Sequence, residues 1–216
     1  MSGIYQGVQT RIIGMNPLAV YVPCSAHSLN LVLEHAAAGT QEIVRFFMFI
    51  QNIYVFFSKS TRRDILNNHL KIDLEKRKQK DPKIRQLFPK RLSDTRWSAR
   101  DDACRALKTG YAAFPAALME IFNNPDEKKI SQVEAESLYK NFYKLETAIL
   151  LEFWSNILHK ANGVSKSLQN LEIDIRTAVY TYKSLTSYIQ NLRSEKLFSE
   201  FEENSKILIQ SCPDWE

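Results

Sequence analysis

Residues 41–57 read QEIVRFFMFIQNIYVFF. Apolar side chains recur here on nearly every side of a helical wheel: Phe46, Phe47, Phe49, Ile50, Ile53, Val55 and Phe56. A helix that is apolar all round belongs under other helices, because no face of it gains from water. A chain that must cover such a segment needs further helices, and the flanking sequence supplies them. From Gln41 to about Leu74 the pattern predicts helix throughout, turning polar toward its end. Lys76 to Lys90 is charged, carries two prolines and predicts an exposed loop. Thr95 to about Ile121 predicts helix again, bent or broken near Gly110 and Pro115. Asn123-Asn124-Pro125-Asp126 is a turn. Ser131-Gln-Val-Glu134 has capping-box spacing and opens a helix whose stripe is Leu138, Phe142, Leu145, Ile149, Phe153 and Ile157.

Asn162-Gly163 is read as the end of that helix. Beyond it Val164, Leu168, Leu171, Ile175, Ala178, Tyr182, Leu185, Ile189 and Leu192 are spaced alternately by four and three, the period of a coiled-coil seam. The two stripes predict an antiparallel helical hairpin at about 137–193, its seam packed within the chain. An intermolecular coiled coil is the sharper alternative. Upstream, Gly3, Gly7, Gly14 and Asn16-Pro17 punctuate a turn-rich start. Leu18-Ala-Val-Tyr-Val22 then reads as a strand ending at Pro23. Ala26 to Ala38 is helical, with Leu29, Val32, Leu33 and Ala36 on one face and Gly39 as its stop. The fold expectation is therefore mainly α, with a partial α/β element over 1–38 and a helical domain over 39–216.

Six glycines and seven prolines in 216 residues, with 44% hydrophobic and 25% charged side chains, suit a helical globular chain. The formal charge of +5 is unevenly placed. Lys59–Lys108 holds 16 Lys and Arg against 7 Asp and Glu, a balance of +9. The other 166 residues, with 13 against 17, carry −4. Such clustering is how a surface for a polyanion is arranged, and also how a solvated helix and loop look. Three widely spaced cysteines, 24, 104 and 212, suggest no disulfide framework and fit a reducing compartment. Phe46–Phe57 is too short to span a bilayer, so no membrane partner is expected.

Candidate chemistry is sparse. Cys24-x-x-His27 offers two ligands where a structural zinc site needs four, and no second pair has matching spacing, so no metal is expected. As a nucleophilic pair it lacks an orienting third group. No phosphate-binding loop, dinucleotide fingerprint, zinc-protease or nucleophile-elbow motif occurs. Asp101-Asp102 are adjacent on a helix and point apart, which suits two-metal chelation badly. Leu92-Ser-Asp-Thr-Arg-Trp97 precedes a helix that Ser93, Asp94 or Thr95 would cap, with Trp97 as a core anchor. The alternative sets Arg96 on a phosphate and Trp97 against a base. The corresponding nucleic-acid surface is Lys90, Arg91, Arg96, Trp97 and Arg100.

Three ordered segments, Met1-Ser-Gly-Ile-Tyr-Gln-Gly-Val-Gln-Thr-Arg-Ile12, Cys24-Ser-Ala-His-Ser-Leu-Asn-Leu-Val32 and Leu92-Ser-Asp-Thr-Arg-Trp97, resemble the hAT transposase lineage, in particular its zinc finger MYM-type and THAP-containing derivatives. The resemblance implies an RNase H-like core interrupted by a large helical insertion, with three acidic residues holding two divalent metals. It maps the family's C-x-x-H onto Cys24 and His27, and its T-R-W element onto Thr95, Arg96 and Trp97. It further implies a nuclear location, an upstream DNA-binding zinc finger and a C-terminal dimerisation region. The chain departs where catalysis is concerned. The family's first acid precedes the methionine at which this chain begins, no Asp or Glu lies between Gly3 and Asn30, and Glu216 falls within the insertion. The expectation is a truncated transposase-like protein that is not an enzyme. It has no cofactor and no small-molecule substrate, and it contacts DNA or protein in the nucleus. The competing class is a protein-interaction or dimerisation module without DNA binding, and an active transposase would need the missing acids.

Overall fold

A computed structural model describes residues 7–79, 85–93, 97–170 and 172–213. It forms α1 (Val8–Met15), α2 (Ser25–Ala37), α3 (Gln41–Phe56), α4 (Ser60–Lys78), α5 (Trp97–Thr109), α6 (Ala113–Asn123), α7 (Lys129–Phe142), α8 (Leu145–Leu168), α9 (Ile175–Asn191) and α10 (Glu195–Gln210). The mainly α class holds, and among the described residues there is no strand.

Three helix starts are capped as their sequences dictate. The Ile43 amide donates to Thr40 Oγ1 (3.4 Å), Thr177 to Asp174 Oδ1 (2.7 Å) and Leu197 to Ser194 Oγ (3.4 Å), each satisfying an orphan donor. The Thr177 amide holds the Asp174 carboxyl below its ordinary range. Pro115 is the third residue of α6, in the first turn, where the missing N–H removes no helical bond. At Gly110, between α5 and α6, an added Cβ would meet Leu70 Cδ2 at 2.5 Å, so the α4 side chain occupies the space that other residues would need.

The all-apolar stretch lies where its sequence demands. Phe46, Phe47, Phe49, Ile50, Ile53, Phe56 and Phe57 are buried, Ile53 and Phe57 completely. They join two aromatic clusters. In one, Phe47 meets Trp97 and Trp154 edge-on at 5.9 and 5.2 Å. In the other, Phe142 meets Phe49, Tyr111 and Phe114 at 5.3, 5.2 and 5.9 Å. Helix α8 is the spine, with α2, α3, α5, α7, α9 and α10 all packed against it. Helix α5 runs antiparallel to it, tied at one end by Asn162 Nδ2 donating to Asp101 Oδ2 (2.7 Å) and at the other by Lys108 Nζ donating to Glu152 Oε2 (2.7 Å). The α6–α7 turn is the predicted one: the Asp126 amide donates to Asn124 Oδ1 (3.0 Å) and Gln132 Nε2 to the Asn124 carbonyl (2.6 Å).

Four expectations are corrected. The strand at Leu18–Val22, and with it the α/β element of the N-terminus, is not formed. Residues 19–24 are coil, with Leu18, Val20 and Val22 at 88%, 84% and 78% exposure. A strand holds its shape through ladder bonds to a neighbour, and no described segment offers one. The helix read from Gln41 to Leu74 is two helices, broken where Phe57 buries and Ser58 Oγ donates back to the Val55 carbonyl (2.6 Å). Ser131 does not cap: α7 starts at Lys129, and Ser131 Oγ accepts from Arg62 Nη2 (2.5 Å). Finally, α8 runs unbroken through Asn162-Gly163. Burial of Ala161 and Val164, with the Asn162–Asp101 bond, outweighs the roughly 1 kcal/mol that a mid-helix glycine costs. The chain turns instead at Tyr143–Lys144 and between the end of α8 at Leu168 and the start of α9 at Ile175, so the antiparallel pair is α8 with α9. Of the second stripe, Leu185 is buried and Ala178, Tyr182 and Leu192 half-buried. Ile175 and Ile189 face solvent, and Leu171 lies outside the described residues.

Candidate functional site

The structure separates the sequence-selected residues. Thr95 and Arg96 lie outside the described residues, as does Asp94. Trp97 opens α5 and is 5% exposed, its ring stacked on Trp154 at 6.2 Å and edge-on to Phe47. The Arg100 guanidinium lies over both Trp97 (4.3 Å) and Phe47 (4.6 Å), closing the cluster from the outside. Trp97 is thus a core anchor, and no face of it is open to stack on a base.

Lys90 is exposed and donates to Asp102 Oδ2 (2.7 Å), while Arg105 takes Asp102 Oδ1 (2.7 Å). Arg91 is exposed and borders a cavity of about 450 Å³ with Leu92, Gln51, Met48, Val44 and Glu34. Cys24 and His27 are both exposed at the start of α2, and Cys24 contributes only its carbonyl, to Ser28 Oγ (3.2 Å). Among the described residues, no three His, Cys, Asp or Glu side chains come together as a metal site. Burial pushes the Cys104 thiol up, and the Cys212 thiol up to about 12, so both stay protonated and neither is a nucleophile at neutral pH.

The basic segment divides into cations consumed inside the fold and cations left outside. Arg62 is buried over the Phe56 ring (4.2 Å), bonded to Ser131 and 3.7 Å from both Glu127 and Glu134. Arg77 pairs with Asp73, Lys78 with Glu75 at 3.5 Å, and Lys108 with the buried Glu152. Lys59, Lys71, Lys76, Arg85 and Arg91 are exposed and make no ion pair with a described residue. Sequence reasoning missed Arg62 and Lys108 as internal ties because their partners lie 69 and 44 residues away.

No family model, no curated protein and no solved structure matches the chain.

Proposed function

We propose that the chain is a non-catalytic helical module of hAT transposase type that works in the nucleus by binding other macromolecules, first of all protein. The observation that supports this is the apolar surface before α2. Met15, Leu18, Val20 and Val22 are each more than three-quarters exposed, although the chain has a complete core elsewhere. Exposed apolar side chains grouped in one segment mark contact surfaces, and a run of strand-forming residues without a ladder partner is suited to strand pairing with another copy. The expected result is concentration-dependent self-association of the full chain in sedimentation runs between about 1 and 100 µM. The triple change Leu18→Ser, Val20→Ser, Val22→Ser abolishes it and leaves the melting temperature unchanged, because none of the three supports the core. A chain that stays monomeric at every concentration defeats this reading.

A second reading, contact with DNA, is supported by the exposed cations Lys59, Lys71, Lys76, Arg85 and Arg91 on α4 and the flanking loops. Under it, binding to a 20-bp duplex falls steeply between about 50 and 200 mM salt, as counterion release demands. Lys71→Glu, Lys76→Glu and Arg91→Glu together remove it, and the duplex stays uncut in Mg²⁺. Binding that ignores salt, or cleavage lost on chelation, contradicts this reading.

A further inference from the structure

We infer that the groove between α8 and α9 is a docking site for an acidic amphipathic helix of a partner protein. The inference deepens the protein-binding reading above and concerns a surface separate from the residues 15–22. The groove is an open cleft of about 660 Å³ whose α8 side, Gly163 and the buried Val164, forms its floor, while Thr177 and Tyr180 line it from α9. Lys160 lines it from α8 and Arg176 from α9.

Two independent features say what covers it. The first is charge. From Phe153 to Leu168 and from Ile175 to Asn191 there is no Asp or Glu, while Lys160 and Arg176, with His159, line the groove itself. Of the neighbouring acids two are engaged within the chain, and Glu172 lies exposed in the loop between the two helices. Asp101 is buried and bonded to Asn162, with His159 Nδ1 at 4.0 Å, and Asp174 caps α9. This field is easily overlooked, because it lies in the part of the chain whose overall balance is negative. The second feature is Gly163. It sits mid-helix, where glycine costs about 1 kcal/mol relative to alanine. No described glycine has a positive φ, and apart from its chain neighbours and the adjoining backbone of α8 no described atom lies within 4 Å of where a Cβ would stand. Neither the backbone nor the packing of this chain requires a glycine there. Its absent side chain leaves α8 bare at the groove floor, which permits close approach of a second helix. Tyr180, 73% exposed beside that floor, supplies a rigid amphipathic wall of the kind that anchors interfaces.

A helix with apolar residues at i, i+3, i+4 and i+7 fits this concave, apolar-floored, cation-lined shape, its acids meeting Lys160 and Arg176. A nucleic acid fits it less well. The N-terminus of α9 beside the groove is already capped by Asp174, and phosphates gain nothing from an apolar floor.

The probe is a fluorescein-labelled 20-residue peptide with leucines in that helical pattern and glutamates elsewhere, titrated with the full chain by anisotropy. A lysine-for-glutamate version and a 20-bp duplex serve as comparisons. The glutamate peptide is expected to bind and the lysine peptide not. Gly163→Leu, which fills the floor, weakens binding at least tenfold, and Lys160→Glu with Arg176→Glu does the same. Gly163→Ala raises the melting temperature by about 2–4 °C, and Gly163→Leu and the Lys160→Glu, Arg176→Glu pair keep that of the parent chain, so that their loss of binding is not loss of fold. Failure of the glutamate peptide to bind, or binding indifferent to Gly163→Leu, overturns the proposal. So does a duplex that binds and is lost with the same changes, because the site is then for nucleic acid. In each such case self-association through residues 15–22 remains a separate measurement, and the broader reading stands or falls on it.

Discussion

Phe142→Ala is expected to lower the unfolding free energy by about 3–5 kcal/mol, a large part of the roughly 5–15 kcal/mol that such a protein has in total. Phe142 ends α7 and is fully buried. Its ring touches those of Phe49, Tyr111 and Phe114, so three elements (α3, the α5–α6 turn and α6) meet on one side chain. Truncation forfeits the burial of the ring and three aromatic contacts, each worth about 0.5–1.5 kcal/mol beyond area. The surrounding rings are stiff and cannot collapse into the void. The Phe142 carbonyl also accepts the Tyr111 hydroxyl at 2.6 Å. That bond survives the substitution, which confines the loss to packing. Phe198, exposed on α10, is the control: Phe198→Ala stays within about 0.5 kcal/mol. Urea denaturation of both variants decides it. A Phe142→Ala midpoint within error of the Phe198→Ala midpoint would mean that this cluster does not hold the fold.

The contrast between those two phenylalanines also shows what the sequence made legible. Residues 46–57 carried enough apolar surface, all round, to declare themselves core without any knowledge of neighbours. The Asn124 turn declared itself through side-chain chemistry that acts over two residues. Both signals are local. The strand at Leu18–Val22 was misread for the complementary reason: β-branched composition describes a residue's fitness for a sheet, but only a partner makes the sheet. Gly163 was misread because a propensity of about 1 kcal/mol was set against nothing. In the fold it competes with the burial of Ala161 and Val164 and with the Asn162–Asp101 tie across 61 residues. The charge count is limited in the same way. A balance of +9 over Lys59–Lys108 is a sum along the chain, whereas the field at a surface depends on which cations the fold has already paired. Arg62, Lys90, Arg105 and Lys108 are engaged with acids of this chain, and the acid-free stretch of α8 and α9 becomes one surface only when the two helices lie side by side.

Lys108 and Glu152 make the consequence measurable. Lys108→Ala is expected to cost about 3 kcal/mol, and Glu152→Gln only about 1 kcal/mol. The asymmetry follows from exposure. The Glu152 side chain is 4% exposed and the Lys108 side chain 37%. Removing the lysine strands a carboxylate between α5 and α8 where water cannot replace the lost partner. Removing the charge on Glu152 leaves an ammonium that turns outward and is solvated. The double change Lys108→Ala, Glu152→Gln leaves no charge behind and is expected to cost about 2 kcal/mol, less than the two single costs together. The cycle then gives a coupling of about 1–3 kcal/mol. Because the pair is screened by protein rather than by solvent, that coupling changes little between 0.1 and 1 M salt, over which the Debye length falls from about 10 to 3 Å. A surface pair would show equal single costs, a coupling under about 0.5 kcal/mol and a visible decline with salt. Observing that pattern would return Lys108 to the solvent-facing basic surface and raise the charge available to a polyanion. Observing the asymmetry fixes Lys108 as the tie that sets α5 against the spine.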